Sequence, residues 1–132
     1  MALRGVRGAI TVDSNTKEEI VNRTKELLNM LAKKNDIHLD DIASIIFSVT
    51  EDLNAEFPAV AARKIGWVFT PLFCTREINV PGSLQGCIRV LMHINSNIEQ
   101  KDIVNVFLRD AKKLRPDLET KEKDKHYISD ES

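Results

Sequence analysis

One apolar run limits what this chain can become: Cys87-Ile-Arg-Val-Leu-Met-His-Ile94, in which only Arg89 and His93 are polar. Its β-branched content and its length read as a buried strand. An arginine inside such a run needs an anion to meet it, because an unpaired charge is costly to bury. The stretch before it offers candidates. Trp67 to Phe73 reads as another strand, Cys74 and Glu77 lie just past its end, and Pro81-Gly82 and Gly86 turn the chain back between the two. A thiol and a carboxylate, a possible hydrogen-bonding pair, then face an arginine from the next strand. That is the outline of a small site for a polar, anionic molecule.

The rest of the chain supplies scaffold and further cations. Residues 2–12 read as a first strand, with Arg7 on the face of Leu3, Gly5 and Ala9 and Arg4 on the other with Val6 and Ile10. Thr16 with Glu19 matches a capping box, and Ile20, Thr24, Leu27, Leu28 and Leu31 form one apolar stripe, so a long helix is expected over about 17–34. After a short turn at Leu39–Ile42, residues 42–49 read as a second strand, apolar enough to be buried on both faces. A polar connection leads to a short helix starting at Phe57-Pro58 and ending before Gly66, with Phe57, Ala59, Val60 and Arg63 close together on it. Asn97 with Gln100 marks another helix start. That helix either continues through Phe107 and Leu108 or stops near 106 and leaves a last strand at about 107–113. Residues 119–132 are charged and lack an apolar period, which predicts a mobile tail. The expected class is mixed α+β or α/β, with strands so apolar that further burial in an oligomer is expected.

Composition removes several functions. A net charge of −1 argues against a nucleic-acid binder, and no apolar run approaches the ~20 residues that span a membrane. Met-Ala-Leu-Arg-Gly at the start lacks the apolar core of a signal peptide, so a cytoplasmic location is expected, with Cys74 and Cys87 as free thiols. No C-x-x-C or H-x₃₋₅-H spacing exists, so no metal site is expected. Residues 117–132 hold six acids and three lysines, which leaves the preceding 116 residues with sixteen basic and fourteen acidic groups. That slightly cationic body is compatible with a small anionic ligand. No Ser-His-Asp, phosphate-loop or metal motif is present, and Cys74 has no histidine nearby in sequence to activate it.

Arg4-Gly5-Val6-Arg7-Gly8-Ala9 with Thr11-Val12, Phe57-Pro58-Ala59 with Arg63, Gly66-Trp67, Pro71 with Cys74 and Glu77, Cys87-Ile-Arg89-Val, and Leu114-Arg-Pro-Asp-Leu118 occur in this order. In these segments the chain resembles the trimeric α/β-type chorismate mutases, the AroH class, over residues 1–118. The resemblance implies a bacillus chorismate mutase-like fold, with a mixed sheet, one long helix and short helices, the trimer forming a pseudo-barrel. It implies the pericyclic rearrangement of chorismate to prephenate in phenylalanine and tyrosine biosynthesis, with no cofactor and with sites between subunits of a homotrimer. Arg7, Arg63 and Arg115 would receive or gate the substrate carboxylates, and Arg89 would sit against the ether oxygen. Cys74 and Glu77 would hold the ring hydroxyl and the partly positive ring. Phe57, Ala59 and Leu72 would wall the ring, with the main chain of Phe73, Thr75 and Arg76 shaping the edge and Leu114 nearby. Phe107 stands where the family usually has a tyrosine, Phe73 where a small polar residue is common, and Val60 where a lysine is often found. Two other functions remain open at this level: an enamine/imine deaminase of similar fold, and a metabolite-binding trimer without catalysis.

Overall fold

The computed structural model describes residues 1–114. The expected tail and Arg115 lie outside the described residues. Strand β1 (Ala2–Thr11) leads to helix α1 (Lys17–Lys34), strand β2 (Ile42–Val49), helix α2 (Ala59–Lys64), strand β3 (Leu72–Arg76), strand β4 (Cys87–Ser96) and strand β5 (Val106–Leu108), with 3-10 turns at Leu39–Asp41, Gln100–Asp102 and Arg109–Leu114. The sheet has five strands in the order β3-β2-β4-β1-β5. β4 runs antiparallel to both β1 and β2, while β3 joins β2 and β5 joins β1 in parallel. The arginine-bearing run is therefore the central strand.

Helix α1 forms where its caps and stripe predict. Thr16 Oγ1 accepts the Glu19 N–H at 3.2 Å, whereas the Glu19 carboxylate reaches past Thr16 to the Asp13 N–H at 3.0 Å. Ile20, Thr24, Leu27, Leu28 and Leu31 are all fully buried and cover one face of the sheet. Gly8 lets the helix approach: a Cβ there would meet Leu27 Cδ1 and Leu31 Cδ1 at 3.0 Å and the Val106 carbonyl at 3.2 Å. Val6, Ile10, Ile45, Phe47, Ile88, Val90, Met92 and Ile94 complete this core.

The opposite face of the sheet is covered only at one end, where the 3-10 turn Arg109–Leu114 packs Ala111 against Ala9 and Cys87, and is otherwise open in the single chain. It carries Leu3, Leu91 and Phe73, which are 60%, 36% and 66% exposed. The expectation that β2 is buried on both faces is corrected accordingly. Ile45 and Phe47 point into the core, while Ser44, Ile46 and Ser48 alternate onto the half-exposed face.

Two element assignments also differ. The third strand does not run over Trp67–Phe73 but over Leu72–Arg76. Gly66 turns the chain with φ 93°, and Arg63 Nη1 donates to the carbonyls of Trp67 and Val68 at 2.8 and 2.6 Å. Those residues are thus tied to α2, and pairing with β2 starts only where Pro71 O accepts the Ile45 N–H at 3.0 Å. Cys74 consequently lies within the strand and not past it. The second difference concerns the helix expected from Asn97, which is a single 3-10 turn. The side chain of Gln100 pairs with both the N–H and the carbonyl of Gly5 (2.9 and 2.7 Å), and buried Asn35 does the same for Val104 (2.7 and 2.9 Å). These groups bind β1 and the end of α1, so a helical ladder does not form and β5 follows at Val106–Leu108.

Candidate active site

The sheet register brings candidate residues into two rows on the open face. The first row runs Phe107–Ala9–Arg89–Ser48–Thr75, each directly paired with the next across β5, β1, β4, β2 and β3. The adjacent row runs Arg7–Leu91–Ile46–Phe73. Arg89 is flanked by a methyl group and a hydroxymethyl group, so a guanidinium has room on a sheet face that bulky neighbours would fill.

Glu77 follows β3 directly and is the anion that the buried arginine requires. Its Oε2 lies 2.9 Å from Arg89 Nε, with side chains 33% and 27% exposed for Arg89 and Glu77. The Glu77 carboxylate also accepts from Ser48 Oγ at 3.4 Å and from the Ile78 N–H at 3.1 Å, and its own N–H donates to Val49 O at 2.8 Å. The Arg89–Glu77 contact is an ion pair without hydrogen-bond alignment. The Arg89 Nε itself is shielded from solvent, and Glu77 is the carboxylate beside it.

The expected pairing of Cys74 with Glu77 is not formed. Cys74 is registered with Phe47, so it points to the α1/α2 side of the sheet while Glu77 reaches Arg89 on the other. Burial pushes the Cys74 thiol up, and only the nearby Ala59 backbone opposes it. Cys87, fully buried beside Ala9 and Ala111, is pushed up to about 11 by burial despite the adjacent Arg89. Both thiols are therefore protonated near neutral pH and unsuited to nucleophilic work. No group of three or more metal-ligating side chains comes together among the described residues.

The remaining candidates cluster elsewhere. Phe57, Ala59 and Arg63 belong to α2 and its approach, and α2 lies beside the edge strand β3. Leu72 and Cys74 face the core from that strand, and Arg76 donates to Glu51 O at 3.1 Å. One chain thus carries the candidate residues in two groups. Arg7, Phe73, Thr75, Glu77, Arg89 and Phe107 lie on the open face, and Phe57, Ala59, Arg63, Leu72 and Cys74 lie around the β3 edge. Leu114 packs with Phe107 against Ala9, Cys87 and Ala111, next to the first group. Sequence reasoning missed Ser48 and Ala9, the small neighbours that make room for Arg89. The signal was present in β2, where Ser44 and Ser48 interrupt an apolar run at alternate spacing.

The sequence and the fold have counterparts among known proteins. A family profile described as chorismate mutase type I matches residues 3–118. The chorismate mutase AroH of Bacillus subtilis (strain 168) is 42% identical over 119 residues, 89% of this chain and 94% of that protein. The chorismate mutase AroH of Thermus thermophilus is 49% identical over 119 residues, 89% of this chain and 98% of that protein. A chorismate mutase structure from Clostridium thermocellum superimposes with a TM-score of 0.81 at 56% identity, covering 82% of this chain and 96% of that one. The chain belongs to the type I chorismate mutases. It is accordingly an isomerase of the AroH class, converting chorismate to prephenate.

Proposed function

We infer that the rearrangement takes place in a pocket completed between copies of the chain, with Arg89 as the principal electrostatic group. The observation that carries this reading is the Arg89–Glu77 ion pair at 2.9 Å, with the guanidinium set between the small side chains of Ala9 and Ser48. Chorismate is a flexible dianion, and its pericyclic step needs no base, nucleophile, metal or cofactor. It needs a compact conformer and stabilisation of the charge that grows on the ether oxygen as the C–O bond breaks. Arg89 meets that oxygen, and Glu77 both orients Arg89 and faces the partly positive ring.

The second group supplies the rest from a neighbouring copy. Arg63 spends Nη1 on two carbonyls of its own loop; its other donors remain for a carboxylate, alongside Arg7 and Arg115. Phe57, Ala59 and Leu72 wall the ring, Cys74 contributes a neutral thiol to the ring hydroxyl, and the main chain of Phe73, Thr75 and Arg76 forms the edge. A trimer is the assembly that this division supports. It joins the two groups and covers Leu3, Leu91 and Phe73, which a lone chain leaves to water. The protein works in the cytoplasm on this reading. Purified protein incubated with chorismate tests it: the ultraviolet absorbance of chorismate disappears, in a species of three times the 15.0 kDa chain mass. Turnover by a species of one chain mass refutes the shared pocket.

A further inference from the structure

Arg89 forms its ion pair from β4, and Glu77 from the residue just past β3. Both are nevertheless hung from the same few residues at the end of β2. Val49 O accepts the Glu77 N–H at 2.8 Å. One residue later, Thr50 N–H donates to Cys87 O at 3.0 Å, and the Cys87 N–H donates back to Thr50 Oγ1 at 3.0 Å. The hydroxyl of Thr50, buried at 4% exposure, passes its own proton to Asp52 Oδ1 at 2.6 Å. The Asp52 carboxylate in turn accepts the Gly86 N–H, at 2.9 Å to Oδ2 and 3.2 Å to Oδ1. Gly86 O accepts the Val12 N–H at 2.8 Å, which ties the same residue to the chain just past β1.

We propose that Thr50 and Asp52 are positioning residues for the reaction, holding the start of β4 so that the Arg89 guanidinium meets the substrate at a fixed height. The proposal rests on the role given to Arg89 above. The last regular pair between β2 and β4 is Val49 with Ile88. Past it, β4 keeps a regular strand partner only on its β1 side, where Cys87 pairs with Thr11, and Arg89 stands only two residues inside the strand start. Asp52 replaces the missing strand partner. Its charge-assisted bonds to the Thr50 hydroxyl and the Gly86 amide fix the peptide where β4 begins. A displacement of about 1 Å at a reacting geometry costs on the order of a hundredfold in rate. A clamp remote from the substrate therefore shows in kcat.

Asp52 is exposed and Thr50 buried, so Asp52→Ala is the decisive variant. It is expected to lower kcat with chorismate about tenfold or more while KM changes less than about threefold. Thr50→Ser, which keeps the hydroxyl, is expected to retain kcat within about threefold. The same Asp52→Ala change placed on Arg89→Lys is expected to cost less than about threefold, because the guanidinium it positions is gone. A purely structural role would cost the same in both backgrounds, and that equality overturns the proposal. Should Asp52→Ala fail to fold, Asp52→Asn preserves the volume and one acceptor. It is expected to lose about three- to tenfold in kcat, and kcat within about twofold of the wild type refutes the clamp. Absence of turnover in the wild type itself would instead refute the reading on which the proposal rests.

Discussion

Replacing Arg89 by alanine is the most direct test of the electrostatic reading. Arg89 is on the central strand, and its Nε is buried 2.9 Å from the Glu77 carboxylate. A developing charge of about half an electron, about 3 Å from the guanidinium at an effective dielectric near 20, is stabilised by roughly 3 kcal/mol. Loss of an oxyanion donor in other enzymes costs a similar ~3 kcal/mol, so kcat should fall on the order of a hundredfold. Folding should survive, because a partly exposed ion pair is worth about 1 kcal/mol or less. Glu77 also keeps its bonds from Ser48 Oγ and the Ile78 N–H. The assay is the disappearance of chorismate absorbance under saturating substrate, alongside circular dichroism and mass in solution for the variant. A folded, assembled Arg89→Ala protein with kcat within about threefold of the wild type refutes the assignment of Arg89 to the developing charge.

Four further outcomes are expected. Phe107→Tyr returns a hydroxyl beside Ala9 on the open face; one hydrogen bond to a charged carboxylate, worth about 1–2 kcal/mol, should lower KM about tenfold, and an unchanged or higher KM removes Phe107 from the pocket. Gly8→Ala forces a methyl group to 3.0 Å from Leu27 and Leu31, and denaturant unfolding should show a loss of about 1–3 kcal/mol. Cys87 binds its proton more tightly folded, at about 11, than unfolded, near 9. Stability therefore falls as pH rises through that window, by roughly 2–3 kcal/mol in full; urea titrations at about pH 8 and 10 should show this slope in the wild type and a weaker one in Cys87→Ala. Turnover should stay nearly flat between about pH 6 and 8, since a pericyclic step moves no proton, and a bell-shaped profile contradicts it.

The legible and illegible parts of the fold divide along physical lines. Helix α1 was readable because cap and stripe are local: Thr16 and Leu31 belong to one periodic segment. The strand at Trp67 was misread because its fate is decided by Arg63, whose guanidinium holds the Trp67 and Val68 carbonyls. The supposed helix after Asn97 failed for a similar reason, as the Asn35 side chain takes up the Val104 N–H and carbonyl, which a helix would have paired internally, while Gln100 ties the turn to Gly5 of β1. Apolar content alone cannot distinguish these cases, because each depends on which polar side chain reaches the backbone first.

By itself the sequence determined that Arg89 lies in a buried strand and requires an anion, since charge, β-branched neighbours and the cost of burial are all written into eight consecutive residues. It also determined, through its resemblance to a known family, which reaction to expect. It offered Glu77 and Cys74 together beside that arginine; only the tertiary structure decided that Glu77 pairs with it and that Cys74 turns to the other face. Strand register assigns alternate residues to opposite faces, and register is a property of paired strands rather than of either strand alone. The same register set Ala9 and Ser48 on either side of Arg89 and turned Leu72 and Cys74 away from it at the β3 edge.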